Sequence, residues 1–477
     1  MRREVRPRVG VFGIGLAAYW SQFEGLRERL EGYQHGIEAR LQGMGAEVIS
    51  AGLVDTVQAA RRAGETLGAP RVDLVLVYTA TYATSSQVLP VVLAAHAPVV
   101  ILNLQPTRTV DYEGMTTGEW LANCSACCVP EIAGALTRAR IPYRTVTGTL
   151  LDGDPAWEVL REWLDAAHAV HILRTGRVGF LGHTYPGMLD MYSDFTQVQA
   201  QTGAHIEVLE IDDLVERVEA ADAAAVERKG EEIRDTFDLA DAGIDPIAAE
   251  ITPDIFEWSA RVAVGLDRLV DDFELDGLTY YYRGVGGNIA ERVTAGLIVG
   301  NSLLTARGVP ASGEGDLKTN IAMLLLDRLG AGGSYTEFYA LDFDDDFVLM
   351  GHDGPGHLAI AEGRPVARAL KLYHGKAGAG LSIEMKVRLG PVTIVGVTQT
   401  GDGRLKLIAA EGESITGPTF RIGNTNSRIR FPSAPTVFFD AWCAQGPTHH
   451  VALGVGHQLP RLRKVADLLG LELAVVD

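Results

Sequence analysis

Gly313-Glu314-Gly315-Asp316 sets one carboxylate between two glycines and a second two residues on, directly ahead of an apolar stretch with helical spacing. Asp316 has the type and place of a helix N-cap, which accepts from the free N–H groups of the first turn. Glu314 then lies where the helix dipole is positive. Glu337 follows in Ser334-Tyr-Thr-Glu-Phe-Tyr339, among aromatic residues that lower the local polarity. His352 and His357 frame the glycine-rich run His352-Asp-Gly-Pro-Gly-His357, whose backbone can approach a ligand closely, and His449 and His450 adjoin in Thr448-His-His. Neighbours on a strand face opposite sides, so one of that pair can serve a given site. Two carboxylates with two imidazoles make a mixed oxygen and nitrogen set that suits Mn²⁺, or another divalent ion of intermediate hardness. The plainer alternative leaves Glu314 at a helix cap, Glu337 paired with an arginine and the histidines incidental.

Three other patterns carry less. Gly13-Ile-Gly15-Leu-Ala-Ala18 has the G-x-G-x-x-A spacing of a dinucleotide turn, but Tyr19, Trp20 and Phe23 follow. They are too bulky for a helix start pressed on a pyrophosphate, so a substrate-facing turn is the better expectation. The run Asp342-Phe-Asp-Asp-Asp346 lacks the glycine and distal glutamate of an EF-hand loop and is expected to be a solvated turn. Cys124-Ser-Ala-Cys127-Cys128 contains a C-x-x-C, which invites a zinc or redox role; with no second ligand pair nearby, buried reduced thiols are expected.

The elements that must position these residues change character along the chain. Runs at 8–12, 46–51, 72–78 and 99–104 read as strands, and 24–43 and 54–66 as helices. Nearly continuous apolar strands alternating with helices imply parallel sheets covered on both faces. A second set begins at Arg177, with helices expected over 214–239, 246–271, 290–306 and 316–329 and a strand over 278–282. Beyond Ser334 short alternating strands take over (382–389, 392–400, 405–410), with Gly401-Asp-Gly403 as a hairpin turn, before a closing helix at 459–469 and strand at 471–476. The fold class expected is α/β, two doubly wound parallel-sheet domains followed by an antiparallel β-barrel-like domain, with boundaries at 1–173, 174–330 and 331–477.

The chain has 477 residues, about three domains at roughly 150 residues each. Its balance of 47% apolar and 22% charged residues is that of a globular protein. A net charge of −19 disfavours nucleic acid and anionic lipid as partners. No apolar run approaches membrane-spanning length, and a cytoplasmic location is expected.

The segments Arg283–Gly287, Gly300–Pro310, Gly313–Thr319, Phe347–His357 and Gly446–His450 resemble the L-arabinose isomerase and L-fucose isomerase superfamily, densely over 283–360 and 446–457. The resemblance implies that Glu314, Glu337, His352 and His450 bind Mn²⁺ and that the two glutamates are the catalytic acid/base pair. It implies an aldose–ketose isomerase that passes protons between C1 and C2, and between their oxygens, through an enediolate. A divalent cation stabilises that enediolate and carboxylates carry the protons. It also implies sugar contacts from Tyr19, Gln105, Met188, Tyr282 and His449. The first two would come from a neighbouring subunit of a homo-oligomer, trimer-based or hexameric, with shared sites. The substrate expected is a pentose or 6-deoxyhexose such as L-arabinose or L-fucose. The segments 78–84 and 103–107 depart from the wording typical of arabinose enzymes. An isomerase or epimerase for another sugar therefore stands as an alternative, as do a sugar-binding sensor without turnover and, resting on the glycine turn alone, a nicotinamide oxidoreductase.

Overall fold

The computed structural model describes residues 5–283, 286–373 and 378–477, so Gly284 and Val285 of the Arg283–Gly287 motif lie outside the described residues. The chain forms two compact units, 1–171 and 172–477.

In the first unit, five parallel strands, β1 (Arg8–Ile14), β2 (Glu47–Val54), β3 (Leu74–Thr79), β4 (Val99–Gln105) and β5 (Tyr143–Thr149), lie in the order β2-β1-β3-β4-β5. This is a doubly wound sheet, and its direction reverses between β1 and β3, where such folds open a crevice at the carboxyl ends of the strands. Val75, Val77, Val99 and Ile101 pack one face of the sheet against Ala63 and Leu67, Val91 and Val92, and Ile132 and Leu136 of three helices. After β1 the chain does not enter a helix at once. It makes a short 3-10 turn at Ala17–Tyr19, and the helix begins only at Leu26, after Gly25 at φ 77°. Side chains fill the ground beside both glycines: a Cβ on Gly13 would lie 2.5 Å from Gln34 Oε1, and one on Gly15 2.8 Å from the Trp20 ring. With no helix N-terminus at this turn, the dinucleotide fingerprint has lost its phosphate cradle.

The second unit holds a four-stranded parallel sheet, Ala311–Ser312, Gly277–Tyr281, Arg177–Gly182 and His205–Leu209 in spatial order. It also holds a closed barrel of six antiparallel strands. Around the barrel run Gly390–Gln399, Val451–Val455, Gly332–Asp342, Phe347–His352, Thr425–Arg430 and Leu405–Ile415, which pairs back onto the first. Closure leaves no unpaired edge. Residues two apart, Val348 and Met350, Val392 and Ile394, Val451 and Leu453, turn into its core, where Phe438 stacks on Phe431 at 3.7 Å. The closure bears out the barrel-like domain expected from the sequence, whereas the pattern shows no sign of the small sheet of Asp238–Leu239, Ala248–Ala249, Val366–Leu370 and Ser382–Glu384, in which buried Arg368 pairs with Asp245 and Glu384.

Several expected helices divide, each for a local reason. The span 214–239 is two helices, Ile211–Glu219 and Ala223–Thr236, because Asp222 caps a new start by accepting from Ala225 N. The helix expected from 246 begins at Pro253 behind the N-cap Thr252, proline being suited to a first helical position. The span 290–306 breaks at Gly296, packed so close to Trp258 that a Cβ would lie 3.1 Å from its indole nitrogen. The strand from Ser382 ends at Glu384. The acidic run is a turn, with Asp342 Oδ1 accepting from the N–H groups of Asp344 and Asp345. Cys124 and Cys128 are buried, as their spacing led us to expect, but Cys127 is exposed.

The Leu317–Arg328 helix is buried continuously from Leu317 to Leu326 and touches both the parallel sheet and the barrel. Its apolar run Ile321–Leu326 is enclosed on every side, which fixes where its first residues sit. No helix among the described residues is long and apolar enough to cross a membrane.

Phe438→Ala should lower the unfolding free energy by about 3–5 kcal/mol through the cavity it leaves. Val437→Ala, one residue away but 60% exposed, should change it by less than about 0.5 kcal/mol. Urea unfolding of the two variants against the parent chain reads both.

Candidate active site

Val451–Val455 pairs with the first half of the barrel strand Gly332–Asp342 and Phe347–His352 with its second half, so the amino end of the one and the carboxyl end of the other meet at its middle. Glu337 pairs in register with Gly351, and Thr336 with Val451. His352 and His450 are therefore delivered to either side of the segment carrying Tyr335 and Glu337, which share one face of the strand. Glu314 arrives from the loop between Ala311–Ser312 and the buried helix. Its backbone takes φ 61°, a conformation that costs a non-glycine residue of order 1 kcal/mol or more and persists where surrounding structure enforces it. Gly315 follows at φ 69°, and a Cβ there would lie 2.5 Å from His183 O. The loop is tied down by Tyr185 N donating to Glu314 O at 2.8 Å and by Gly315 N donating to Tyr280 O at 3.0 Å.

Glu314, His352 and His450 offer ligand atoms within 4.8 Å of one another, and Glu337, His449 and His450 do the same. His450 is fully buried. Its Nδ1 lies 3.0 Å from Asp316 Oδ2 and 2.8 Å from the Tyr335 hydroxyl, which in turn donates to Gly313 O at 3.2 Å. Asp316 is itself completely buried, accepts from Thr319 N and Thr319 Oγ1, and caps the helix. Burial alone would raise its pKa, but the hydrogen bond and charge of His450, with the Thr319 bonds, bring it below the usual carboxylate range. An anionic Asp316 at Nδ1 favours the tautomer protonated there, with Nε2 facing Glu314 Oε2 at 3.7 Å as an acceptor. That buried Nε2 has no hydrogen-bond partner among the described residues. A buried acceptor left open beside a carboxylate and a second imidazole suits a divalent cation, and the oxygen and nitrogen donors suit one of intermediate hardness.

His352 is buried with its ring 4.4 Å from Tyr335 and 5.0 Å from His450, centroid to centroid, and its backbone N–H donates to Thr425 Oγ1. Gly354 leaves room for it, since a Cβ would sit 2.8 Å from His352 Nδ1.

The two glutamates sit in different electrostatic settings. Burial pushes the Glu314 carboxyl above its ordinary value, against the pull of His450 and His449. Burial would do the same to Glu337, but the 2.5 Å contact to His449 Nε2 and the nearby His352 hold it below. His449 is raised in turn, first by that hydrogen bond.

Other residues expected at the site are spread more widely. Met188, half-buried, precedes the short turn Leu189–Met191, which is anchored by Asp190 Oδ2 accepting from His449 N at 2.8 Å. Lys318 Nζ, on the buried helix, holds the same loop by donating to Tyr192 O and Ser193 Oγ. Tyr282 packs its half-buried ring on the apolar core beneath the parallel sheet and accepts from Asn288 Nδ2. Its neighbour Tyr281, unremarked in the sequence, has its hydroxyl pKa raised mainly by burial and in part by the Glu314 carboxylate, and its ring contacts His183 and Tyr185. Tyr19 and Gln105 belong to the first unit, at the carboxyl ends of β1 and β4. Sequence reasoning saw Asp316 only as a cap and Tyr335 only as shielding. The signal for the larger role of Asp316 was its place two residues after Glu314.

The central-domain model of L-arabinose isomerase matches residues 192–332, and the C-terminal-domain model matches 332–472. Together they span more than half of the chain. The chain belongs to the L-arabinose isomerase family of sugar isomerases. It is similar to the L-arabinose isomerase of Nocardioides sp., at 26% identity over 80% of this chain and 76% of that protein. It is also similar to those of Aeromonas salmonicida (22% identity, 84% and 80% covered) and Acidothermus cellulolyticus (24%, 81% and 76%). Family membership makes this an isomerase enzyme, and the residues quoted above from 300–319, 347–357 and 446–450 fall within the matched spans.

Asp316→Asn keeps a helix cap but cannot hold the Nδ1 proton as an anion. If His450 ligates a divalent cation, calorimetric titration with Mn²⁺ should show affinity reduced about 10- to 100-fold, the usual cost of losing a carboxylate behind a ligating histidine.

Proposed function

We propose that this sugar isomerase is a divalent-metal-dependent aldose–ketose isomerase acting on a pentose or 6-deoxyhexose of the L-arabinose or L-fucose kind. The observation that carries the reading is the buried, unpartnered Nε2 of His450, aimed at Glu314 and within ligand range of His352, in a chain of this family. Glu314, His352 and His450 would hold the cation, with Glu337 completing the set. When bound, the cation, Mn²⁺ in our reading, withdraws electron density from the sugar carbonyl and favours the enediolate.

The rest of the work falls to the chain's own groups. Glu314 and Glu337, whose carboxylates converge on the same cluster, carry the protons, one serving the carbons and the other the oxygens. Tyr335, wholly buried between the two histidines, keeps water from that side of the site. His449 and the loop bearing Met188, joined through Asp190, hold the open side toward the sugar. In this reading Tyr19 and Gln105 reach the sugar from a second copy of the chain, making the active form a closed homo-oligomer.

EDTA-treated protein should produce no ketose from a panel of aldopentoses and 6-deoxyaldohexoses, and added Mn²⁺ should restore turnover on at least one of them. Failure to form ketose from any aldose with metal present would sink the reading. Glu314→Gln and Glu337→Gln should each lower kcat by at least about 100-fold, the low end of what a positioned proton-transfer group contributes, while circular dichroism stays that of the parent. Near-full activity in either variant would displace that residue from its role.

A further inference from the structure

Lys318 breaks two local rules at once. It sits in the first turn of the Leu317–Arg328 helix, where the dipole opposes a cation, and it is only 1% exposed. A buried ammonium gives up hydration that an apolar side chain of the same length would never need. Burial accordingly draws its pKa down, and the carboxylates of Asp316 and Asp190 oppose that pull. A residue at odds with its surroundings in this way is explained by what its head group holds. Lys318 Nζ donates to Tyr192 O at 3.1 Å and to Ser193 Oγ at 3.2 Å. Ser193 Oγ in turn donates to Met191 O at 3.1 Å.

The segment gripped in this way is short. Between Gly187 and Asp194 the chain makes one 3-10 turn, Leu189–Met191. Met191 is wholly buried beneath it, while Leu189 and Tyr192 are exposed, and Gly187 N donates to the Tyr192 hydroxyl. Asp190, on the same turn, accepts from His449 N at 2.8 Å, and His449 Nε2 meets Glu337 Oε2 at 2.5 Å. One line of contacts therefore runs from the helix through Lys318, the turn and Asp190 to His449 and Glu337. Asp316, two residues earlier, starts a separate line to His450. A single helix turn thus sends an anion to His450 and a cation to the opposite rim.

We propose that Lys318 is a positioning residue for sugar binding: it sets the turn of residues 188–193 and, through Asp190, the place of His449, and it takes no part in holding the cation. The inference rests on the isomerase reading above and adds to it the group that fixes the sugar side. Lys318 is too deeply buried for a sugar to touch, so it acts through the turn alone. Without it, Tyr192 O and Ser193 Oγ lose their buried donor, and the turn no longer has the helix to set its distance from His449. Binding lost equally from the bound sugar and from the transition state raises KM and leaves kcat in place. Damage to the helix turn as a whole would instead reach Asp316 and His450, and would weaken the cation site in step.

Lys318→Met keeps the length of the side chain and removes its donors. With Mn²⁺ and the aldose that the parent chain turns over, this variant should raise KM at least about 10-fold, the low end for losing hydrogen bonds made by a charged group. Its kcat should fall by less than that factor, and its Mn²⁺ affinity by calorimetry should stay within about 3-fold of the parent's, unlike that of Asp316→Asn. An unchanged KM, or Mn²⁺ affinity reduced in proportion to KM, overturns the role of Lys318. If Lys318→Met does not fold, the part-buried Ser193→Ala decides, with KM expected to rise about 3-fold for one lost bond; no rise overturns the proposal equally. Combining Lys318→Met with Asp190→Ala should raise KM little beyond the larger single effect, because both act through one turn, and full multiplication of the two effects overturns that shared path. A parent chain that forms no ketose from any aldose overturns the isomerase reading itself, and the parent assay shows that before any variant is compared.

Discussion

A single buried carboxylate, Asp316, joins the three pieces on which the candidate site depends. It ends the loop carrying Glu314, caps the buried helix through Thr319, and grips Nδ1 of His450 at the end of a barrel strand. An isolated charge in such a place would cost several kcal/mol of lost hydration, and it is tolerated only because every direction from it meets a donor. The consequence reaches beyond stability. With one imidazole nitrogen committed to Asp316, the other is left with a lone pair and nowhere to spend it.

The helix behind that carboxylate explains why the grip can be exact in position. Leu317–Leu326 is buried throughout, with the parallel sheet against it and the barrel against it as well. It cannot shift without opening both cores, so the N-terminal turn that presents Glu314 and Asp316 is as fixed as any part of the unit. The positive φ of Glu314 is the local cost of aiming its side chain toward the histidines, and the backbone bonds from Tyr185 and to Tyr280 hold it there. The same helix steadies the opposite rim, because Lys318 holds the loop that Asp190 fastens to His449.

Divided settings for the two glutamates follow from the same framework. Glu337 faces an exposed histidine that can share charge with it, whereas Glu314 faces His450, whose other ring nitrogen is engaged by Asp316. The result is one carboxyl inclined to keep its proton and one inclined to lose it, within a single cluster.

The amino-acid sequence by itself determined the succession of parallel layers and the change to short alternating strands beyond Ser334, because apolar periodicity of two or near four residues reports local burial. It also singled out the candidate donors, since Glu314, Glu337, His352 and His450 sit in segments whose glycines and caps are legible residue by residue. Helix breaks at Ala220–Asp222 and Gly296 escaped it, as a cap and a close packing contact override periodicity over one or two residues. Only the tertiary structure decided which atoms meet. The contact of His450 with Asp316, the pairing of Glu337 with His449 and the exposure of Cys127 all join or separate groups distant in the chain or turned by packing. Spacing along a sequence carries no information about which face of a distant element a side chain will finally oppose.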